Sequence, residues 1–104
     1  MLASSIIEII KKTVNDLLLD PEIILFGSYA RGEAHPWSDY DLLIVLNEPI
    51  DITTRLLYQS KIRRSLARKD ILSDVIIQSR ADLEVKRILP GHIVQSALIE
   101  GIRL

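Results

Sequence analysis

The amino-acid sequence predicts a small α/β (α+β) domain in which helices pack on a mixed β-sheet of three to four strands. Three apolar runs, at residues 22–26, 40–47 and 71–78, have the length and the Ile, Leu and Val content of buried strands. Segments with apolar residues at helical spacing lie before, between and after these runs. Because predicted strands alternate with predicted helices, we expect one sheet with helices packed on it.

The first helix is predicted over residues 4–19, because Ser5 and Glu8 have capping-box spacing and Asp20-Pro21 ends the apolar pattern. Asp51 is predicted to cap a second long helix that continues to about Lys69. The residues predicted to face the core from this helix are Ile52, Leu56, Ile62 and Leu66.

Two shorter helices are predicted near the end of the chain. One begins at Ser79, which has Asp82 three residues later, and is broken by Pro90-Gly91. The other covers residues 92–100. Its predicted inward-facing residues are Ile93, Ala97 and Leu98.

Composition limits the class of protein. A chain of 104 residues with 48% hydrophobic content predicts a single domain over residues 1–104. Thirteen basic residues against 14 acidic ones argue against DNA binding. The absence of cysteine excludes disulfides and thiolate metal sites and favours the cytoplasm. No apolar run approaches the roughly 20 residues of a membrane span, and we expect no signal peptide.

The segment between the first two predicted strands carries the chemistry. Gly27 and Ser28 leave the first strand, and Asp39 and Asp41 enter the second, one residue apart. Residues i and i+2 of a strand point to the same face, so the two carboxylates should project together. Two adjacent like charges repel each other unless a cation lies between them. The pattern therefore predicts a divalent metal site beside a turn that can hold phosphate, with Arg31 as a possible further phosphate contact.

Several of these residues have simpler interpretations when taken singly. Gly-Ser is a common loop dipeptide, Arg31 could be solvated, and Asp39 could be a turn residue after Ser38. A basic cluster late in the second helix could be a solvated face or a surface for an acceptor or partner. That cluster consists of Lys61, Arg63, Arg64, Arg68 and Lys69.

The whole pattern resembles the minimal nucleotidyltransferases of the DNA polymerase beta-like superfamily. The resemblance is carried by Gly27-Ser28, Ala30-Arg31-Gly32, Ser38 and the Asp39-Tyr40-Asp41 triplet followed by aliphatic residues. It implies that Asp39 and Asp41 are catalytic and metal-binding, with two Mg²⁺ ions, and that a nucleoside triphosphate, most often ATP, is the substrate. It also implies that Gly27, Ser28, Arg31 and Ser38 bind the nucleotide.

The same resemblance implies a third catalytic and metal-binding carboxylate on a later strand. Asp74, within Leu72-Ser73-Asp74-Val75, is the matching candidate, because a charge in so apolar a run is costly without a partner. The alternative is that Asp74 lies at an exposed strand edge. Asp70 competes for the assignment, but its place between helix and strand favours a turn.

The resemblance further implies transfer of AMP to a hydroxyl acceptor. Such proteins are often the antitoxin of a toxin–antitoxin pair and adenylylate a tyrosine of a helical HEPN-type toxin encoded nearby. Two alternatives stay open: a small-molecule (aminoglycoside-like) nucleotidyltransferase with a separate helical subunit, or a non-catalytic antitoxin that acts by binding. No residue pattern specifies the acceptor or the base.

Overall fold

A computed structural model describes residues 4–89 and 91–104 and confirms the predicted α/β class. Within these residues lie four helices and four strands. In chain order they are α1 (Ser4–Leu17), β1 (Glu22–Phe26), β2 (Tyr40–Leu46), α2 (Ile52–Ala67), β3 (Ser73–Ser79), α3 (Arg80–Lys86), α4 (Ile93–Glu100) and β4 (Ile102–Arg103). The predicted elements are all present, with ends that differ by a few residues. Strand β4 is the element that the sequence did not locate.

The four strands form one mixed sheet in the order β3-β2-β1-β4. Strand β1 runs antiparallel to both β2 and β4, whereas β2 and β3 are parallel. As a result, the end of β1 meets the starts of β2 and β3 at one edge of the sheet. At this edge Phe26 pairs with Asp41, and Asp41 pairs with Asp74.

Both faces of the sheet are covered by helices, which explains the continuous apolar runs in the strands. On one face Leu25, Leu42 and Ile44 pack with residues of α1 and α2. On the other face Phe26 and Leu43 pack with residues of α3 and α4. Alternate residues of each strand therefore enter two separate hydrophobic clusters, as the two-residue repeat of a strand requires.

Two of the predicted core faces need correction. Ile52 and Leu56 of α2 are 63% and 54% exposed, because the residues of α2 that reach the core form a row that begins at Tyr58. That row continues through Ile62 and Leu66, as predicted. In α4 the buried residues are Val94 and Ala97, and Ile93 is 45% exposed. Val94, one position later than the predicted residue, lies over the sheet.

No helix in the ranges 4–89 and 91–104 combines the length and the apolar character that crossing a bilayer demands.

The core predicts a clear stability difference between two leucines. Leu42 is fully buried in the centre of β2, whereas Leu56 is 54% exposed on α2. Leu42→Ala should lower the free energy of unfolding by about 2–5 kcal/mol, since it removes buried methyl groups and leaves a cavity. Leu56→Ala should change it by about 0.5 kcal/mol or less. Urea unfolding monitored by circular dichroism measures both, and equal effects would contradict the assignment of the core.

Candidate functional site

The carboxylates of Asp41 and Asp74 are brought together by strand register. The two residues are Cα partners in the parallel strands β2 and β3. Partners in adjacent strands point to the same face, and the strands lie roughly 4.8 Å apart. Asp41 is half-buried, and Asp74 is exposed at the start of its strand. Asp74 is therefore exposed at the strand edge, as in the alternative interpretation, and it also has the Asp41 carboxylate as its neighbour on the adjacent strand.

Asp39 lies directly before β2 and is exposed. Tyr40, between Asp39 and Asp41, is buried in the hydrophobic cluster under α1 and α2. Because adjacent residues of a strand point to opposite faces, the side chains of Asp39 and Asp41 point away from that cluster. The Tyr40 ring stacks on Tyr29 with 3.9 Å between ring centroids. Burial, followed by the Tyr29 hydroxyl, raises the pKa of Tyr40 to about 12. The stacked pair ties the loop before β2 to the turn after β1.

Electrostatic repulsion acts on Asp41. Burial raises the pKa of this carboxyl above its usual range, and the charges of Asp74 and Asp39 raise it further, while Arg31 opposes them. Among residues 4–89 and 91–104, no three acidic or histidine side chains already form a metal cage. The donors are hard carboxylate oxygens that repel one another, and such a set fits a hard divalent cation such as Mg²⁺.

Gly27 is required by its contact with Asp41. Its φ of 73° lies in the left-handed region that glycine adopts without strain. A Cβ placed on Gly27 would collide with Asp41 Oδ2. The carboxylate therefore lies directly against the glycine backbone, and any side chain at position 27 would displace it.

The turn after β1 begins at Gly27. The Arg31 N–H donates to the Gly27 carbonyl at 3.1 Å, and the Glu33 N–H donates to the Ser28 carbonyl at 2.9 Å. These bonds form the turn that the sequence predicts, as a single helical turn that does not continue into a helix. Ser28, at the start of this turn, is half-buried, and Gly27 lies between it and Asp41.

Ser38 and Asp70 occupy loop positions. Ser38 Oγ accepts from the His35 N–H at 3.0 Å, and the Ser38 N–H donates to the His35 carbonyl at 2.9 Å, so this serine closes the loop before Asp39. Asp70 has a φ of 61°, and its N–H donates to the Ala67 carbonyl at 3.0 Å. Asp70 thus belongs to the turn after α2, which leaves Asp74 as the third carboxylate of this edge.

Glu100, at the end of α4, is the site residue that the sequence did not reveal. The Gly27 N–H donates to Glu100 Oε1 at 3.3 Å, and Arg31 Nη1 donates to the same oxygen at 3.1 Å. Arg31 Nε also donates to Glu33 at 3.2 Å. The Glu100 carboxylate thus accepts from the Gly27 N–H and from Arg31, which are the groups predicted to bind phosphate. No local pattern marks Glu100, because only the packing of α4 beside β1 brings it there.

If the turn holds a nucleotide, as the resemblance implies, removing Glu100 should strengthen that binding. In Glu100→Ala the Gly27 N–H and the Arg31 guanidinium lose their internal acceptor, and one negative charge leaves the site. We expect ATP to bind roughly three- to tenfold more tightly in the presence of Mg²⁺. The fold should be retained, because relief of an unfavourable charge at the C-terminus of α4 offsets part of the loss of the Arg31 ion pair. Isothermal titration calorimetry measures the affinity, and weaker binding would mean that Glu100 serves to hold Arg31 in place.

The sheet, with carboxylates at its edge beside a Gly-Ser turn, defines a class of protein. The family model described as nucleotidyltransferase domain matches residues 7–104, and the chain belongs to this family.

Relatives within the family have narrower names. A Methanocaldococcus jannaschii protein named "Putative protein adenylyltransferase" is 39% identical over 77 residues, which cover 69% of this chain and 74% of that protein. The "Probable protein adenylyltransferase MntA" of Haemophilus influenzae is 38% identical over 47 residues, covering 45% of this chain. The chain spans only 8–48% of the length of three of the curated relatives it matches.

Solved structures share the fold. A toxin–antitoxin complex with AMP-PNP contains a chain with a TM-score of 0.60 and 24% identity, covering 98% of this chain and 72% of that one. The complex of the tri-AMPylated Shewanella oneidensis HEPN toxin with MNT antitoxin contains another, with a TM-score of 0.59 and 19% identity. That match covers 96% of this chain and 69% of the other.

Proposed function

We propose that this protein is a Mg²⁺-dependent adenylyltransferase that moves AMP from ATP to a tyrosine hydroxyl of a HEPN-type toxin and thereby acts as its antitoxin in the cytoplasm. The observation that carries the proposal is the pairing of Asp41 with Asp74 beside Gly27. The names of the relatives support the type of transfer, and the complexes named above support the type of partner.

The reaction requires little covalent chemistry from the protein. The acceptor oxygen attacks the α-phosphorus of ATP and forms a new P–O bond, while the bond to the β-phosphate oxygen breaks and pyrophosphate leaves. The acceptor proton passes to Asp74, the carboxylate that we assign to the acceptor side. Catalysis then depends on positioning and on charge stabilisation.

The remaining site residues have roles in binding. Asp39, Asp41 and Asp74 would hold Mg²⁺, which would neutralise the triphosphate and polarise the reacting phosphoryl group. The Gly27 N–H and Ser28 would hold the phosphates that leave as pyrophosphate, and Arg31 would add a charge once Glu100 is displaced. Ser38 would contribute by closing the loop before Asp39.

Transfer of radiolabel tests the proposal. The protein is incubated with α-labelled ATP, Mg²⁺ and the HEPN-type protein encoded beside it, and the label in the partner is counted. We expect Mg²⁺-dependent labelling that Asp39→Ala or Asp41→Ala abolishes. Asp82→Asn is a matched control, since Asp82 lies in the first turn of α3 outside the site. EDTA should remove the labelling by the wild type.

Two outcomes would overturn the proposal. Labelling that persists in Asp41→Ala would mean that Asp41 does not hold a catalytic metal ion. Full neutralisation of the toxin by both aspartate variants, without any label, would mean that the protein acts by occluding its partner. Replacing the labelled tyrosine of the partner with phenylalanine identifies the acceptor, because the fold of the partner should tolerate loss of one hydroxyl.

A further inference from the structure

The second long helix concentrates the positive charge of the molecule. Residues 52–69 contain six of the 13 basic residues and no acidic one, so the rest of the chain has seven basic residues against 14 acidic ones. The six are Arg55, Lys61, Arg63, Arg64, Arg68 and Lys69. Within residues 4–89 and 91–104 none of these six forms a salt bridge, whereas five basic residues elsewhere do. The helix thus presents cations that form no salt bridge with any carboxylate in the part of the chain that the structure describes.

Two grooves lie along this helix. The first, of about 420 Å³, lies between α1 and α2. Its lining includes Lys61 and Arg64 from α2, Arg68 directly after α2, and Asp16 and Leu17 from α1. The Lys69 ammonium donates to Thr13 Oγ1 at 3.2 Å in the same groove.

The second groove, of about 350 Å³, reaches the candidate active site. It is lined by Asp39, Arg63, Arg64, Ala67, Leu72 and Ser73. Leu72 is 57% exposed and offers an apolar wall. Ser73 Oγ, also in the lining, is buried and has no hydrogen-bond partner among the described residues. The groove therefore combines cations, an apolar surface and the Asp39 carboxylate.

Arg64 lines both grooves, so the two lie next to each other along the helix. We refer to the two grooves together, from Asp16 past Arg64 to Asp39, as the α2 track. At its far end lies Asp39, whose charge acts on Asp41, and the Asp41 carboxylate in turn lies against Gly27. No residue of the Gly27 turn lines the α2 track, so a ligand on the track would leave that turn open to the nucleotide.

We infer that the α2 track binds an acidic segment of the acceptor polypeptide and guides its hydroxyl side chain past Asp39 to the paired Asp41 and Asp74. The inference rests on the proposed function and names the side from which the acceptor enters. An acidic polypeptide fits better than a nucleic acid. Asp16 in the first groove and the carboxylates at the far end would repel a continuous row of phosphates, and Leu17 and Leu72 match apolar side chains.

Peptide binding tests the inference without any need for catalysis. A short fluorescent peptide with one tyrosine between glutamates is titrated with the protein, beside the same peptide with lysines in place of glutamates and a single-stranded RNA of equal length. We expect the glutamate peptide to bind most tightly, with an affinity that falls as salt rises. Arg64→Glu should weaken this binding at least tenfold and improve binding of the lysine peptide.

Arg55→Glu is the matched control, because Arg55 lies in the first turn of the same helix and lines neither groove. It should leave the peptide affinity unchanged. Arg64→Gln removes the charge without adding one and provides a second variant if Arg64→Glu folds poorly. Equal peptide binding by wild type and both Arg64 variants would overturn the inference, as would tighter binding of the RNA.

Kinetics separate this inference from the proposed function. With the HEPN-type partner as acceptor, Arg64→Gln should raise the KM for the partner severalfold and leave the KM for ATP unchanged. If Asp41→Ala still transfers AMP, the proposed function fails while the peptide result stands. If transfer requires Asp41 but is indifferent to Arg64, the proposed function stands and the α2 track is not the acceptor site.

Discussion

Asp41→Asn is expected to abolish Mg²⁺-dependent nucleotide binding and to raise the thermal stability of the unliganded protein. Both effects have one cause, which is the half-buried charge of Asp41 between Asp39 and Asp74. The charge costs stability when no cation is bound, and in the proposed function it would bind Mg²⁺ when the ion is present. Asparagine keeps the shape and removes the charge, so repulsion is relieved and a metal ligand is lost.

The two effects are measured separately. Differential scanning calorimetry without metal should give a higher Tm for Asp41→Asn than for the wild type. Added Mg²⁺ with ATP should raise the Tm of the wild type only, because a ligand stabilises the state that binds it. AMP transfer should fall by about 10²- to 10³-fold or more. A lower Tm for the unliganded variant would contradict the repulsion, and the control Asp82→Asn should leave transfer unchanged.

Gly27→Ala should be nearly as damaging to activity, by a steric route. The new methyl group would occupy the place of Asp41 Oδ2, so the carboxylate must move out of its position against the turn. Displacement of a catalytic group by about 1 Å can cost 10²-fold in rate, and we expect a loss of at least about this size. Alanine at a φ of 73° adds a backbone cost of about 1–2 kcal/mol.

Gly91 supplies the control for the backbone cost. Its φ of 74° is nearly the same, but a Cβ there meets nothing within 4 Å. Gly91→Ala should therefore lose a similar amount of stability from strain and retain full AMP transfer. Chemical denaturation and the label-transfer assay, applied to both variants, separate strain from collision. Equal activities would show that contact between Gly27 and Asp41 has no part in catalysis.

The proposed roles of Glu100 and Arg64 share a physical theme. Both residues act on the charge around a cluster of carboxylates: Glu100 by lying on the phosphate donors, and Arg64 by providing a cationic approach on the other side. A nucleotide must displace an internal anion, whereas an acidic acceptor meets free cations. The two sides of the site therefore differ in how strongly they attract a negative ligand.

Local patterns were sufficient to predict the four helices and strands β1 to β3 in their order, but not β4. The apolar runs, the Asp51 and Ser79 caps and the breaks at Pro21 and Pro90-Gly91 are short-range signals. The structure has β1, β2 and β3 within a few residues of the predicted positions, and Asp51 and Ser79 accept from backbone N–H groups three residues later. The core-facing residues were less predictable. Ile52 and Leu56 follow the apolar periodicity of α2, but they lie in the part of the helix that extends past the core.

The sequence by itself determined that Asp39 and Asp41 project together and that a Gly-Ser turn follows β1. Both features depend on spacings of one or two residues. Only the tertiary structure decided that Asp74 is the strand partner of Asp41 and that Gly27 lies against its carboxylate. The same holds for Glu100 and the α2 track. Contacts between residues far apart in the chain follow from strand register and helix packing, which are set by the burial of the whole core rather than by any local pattern.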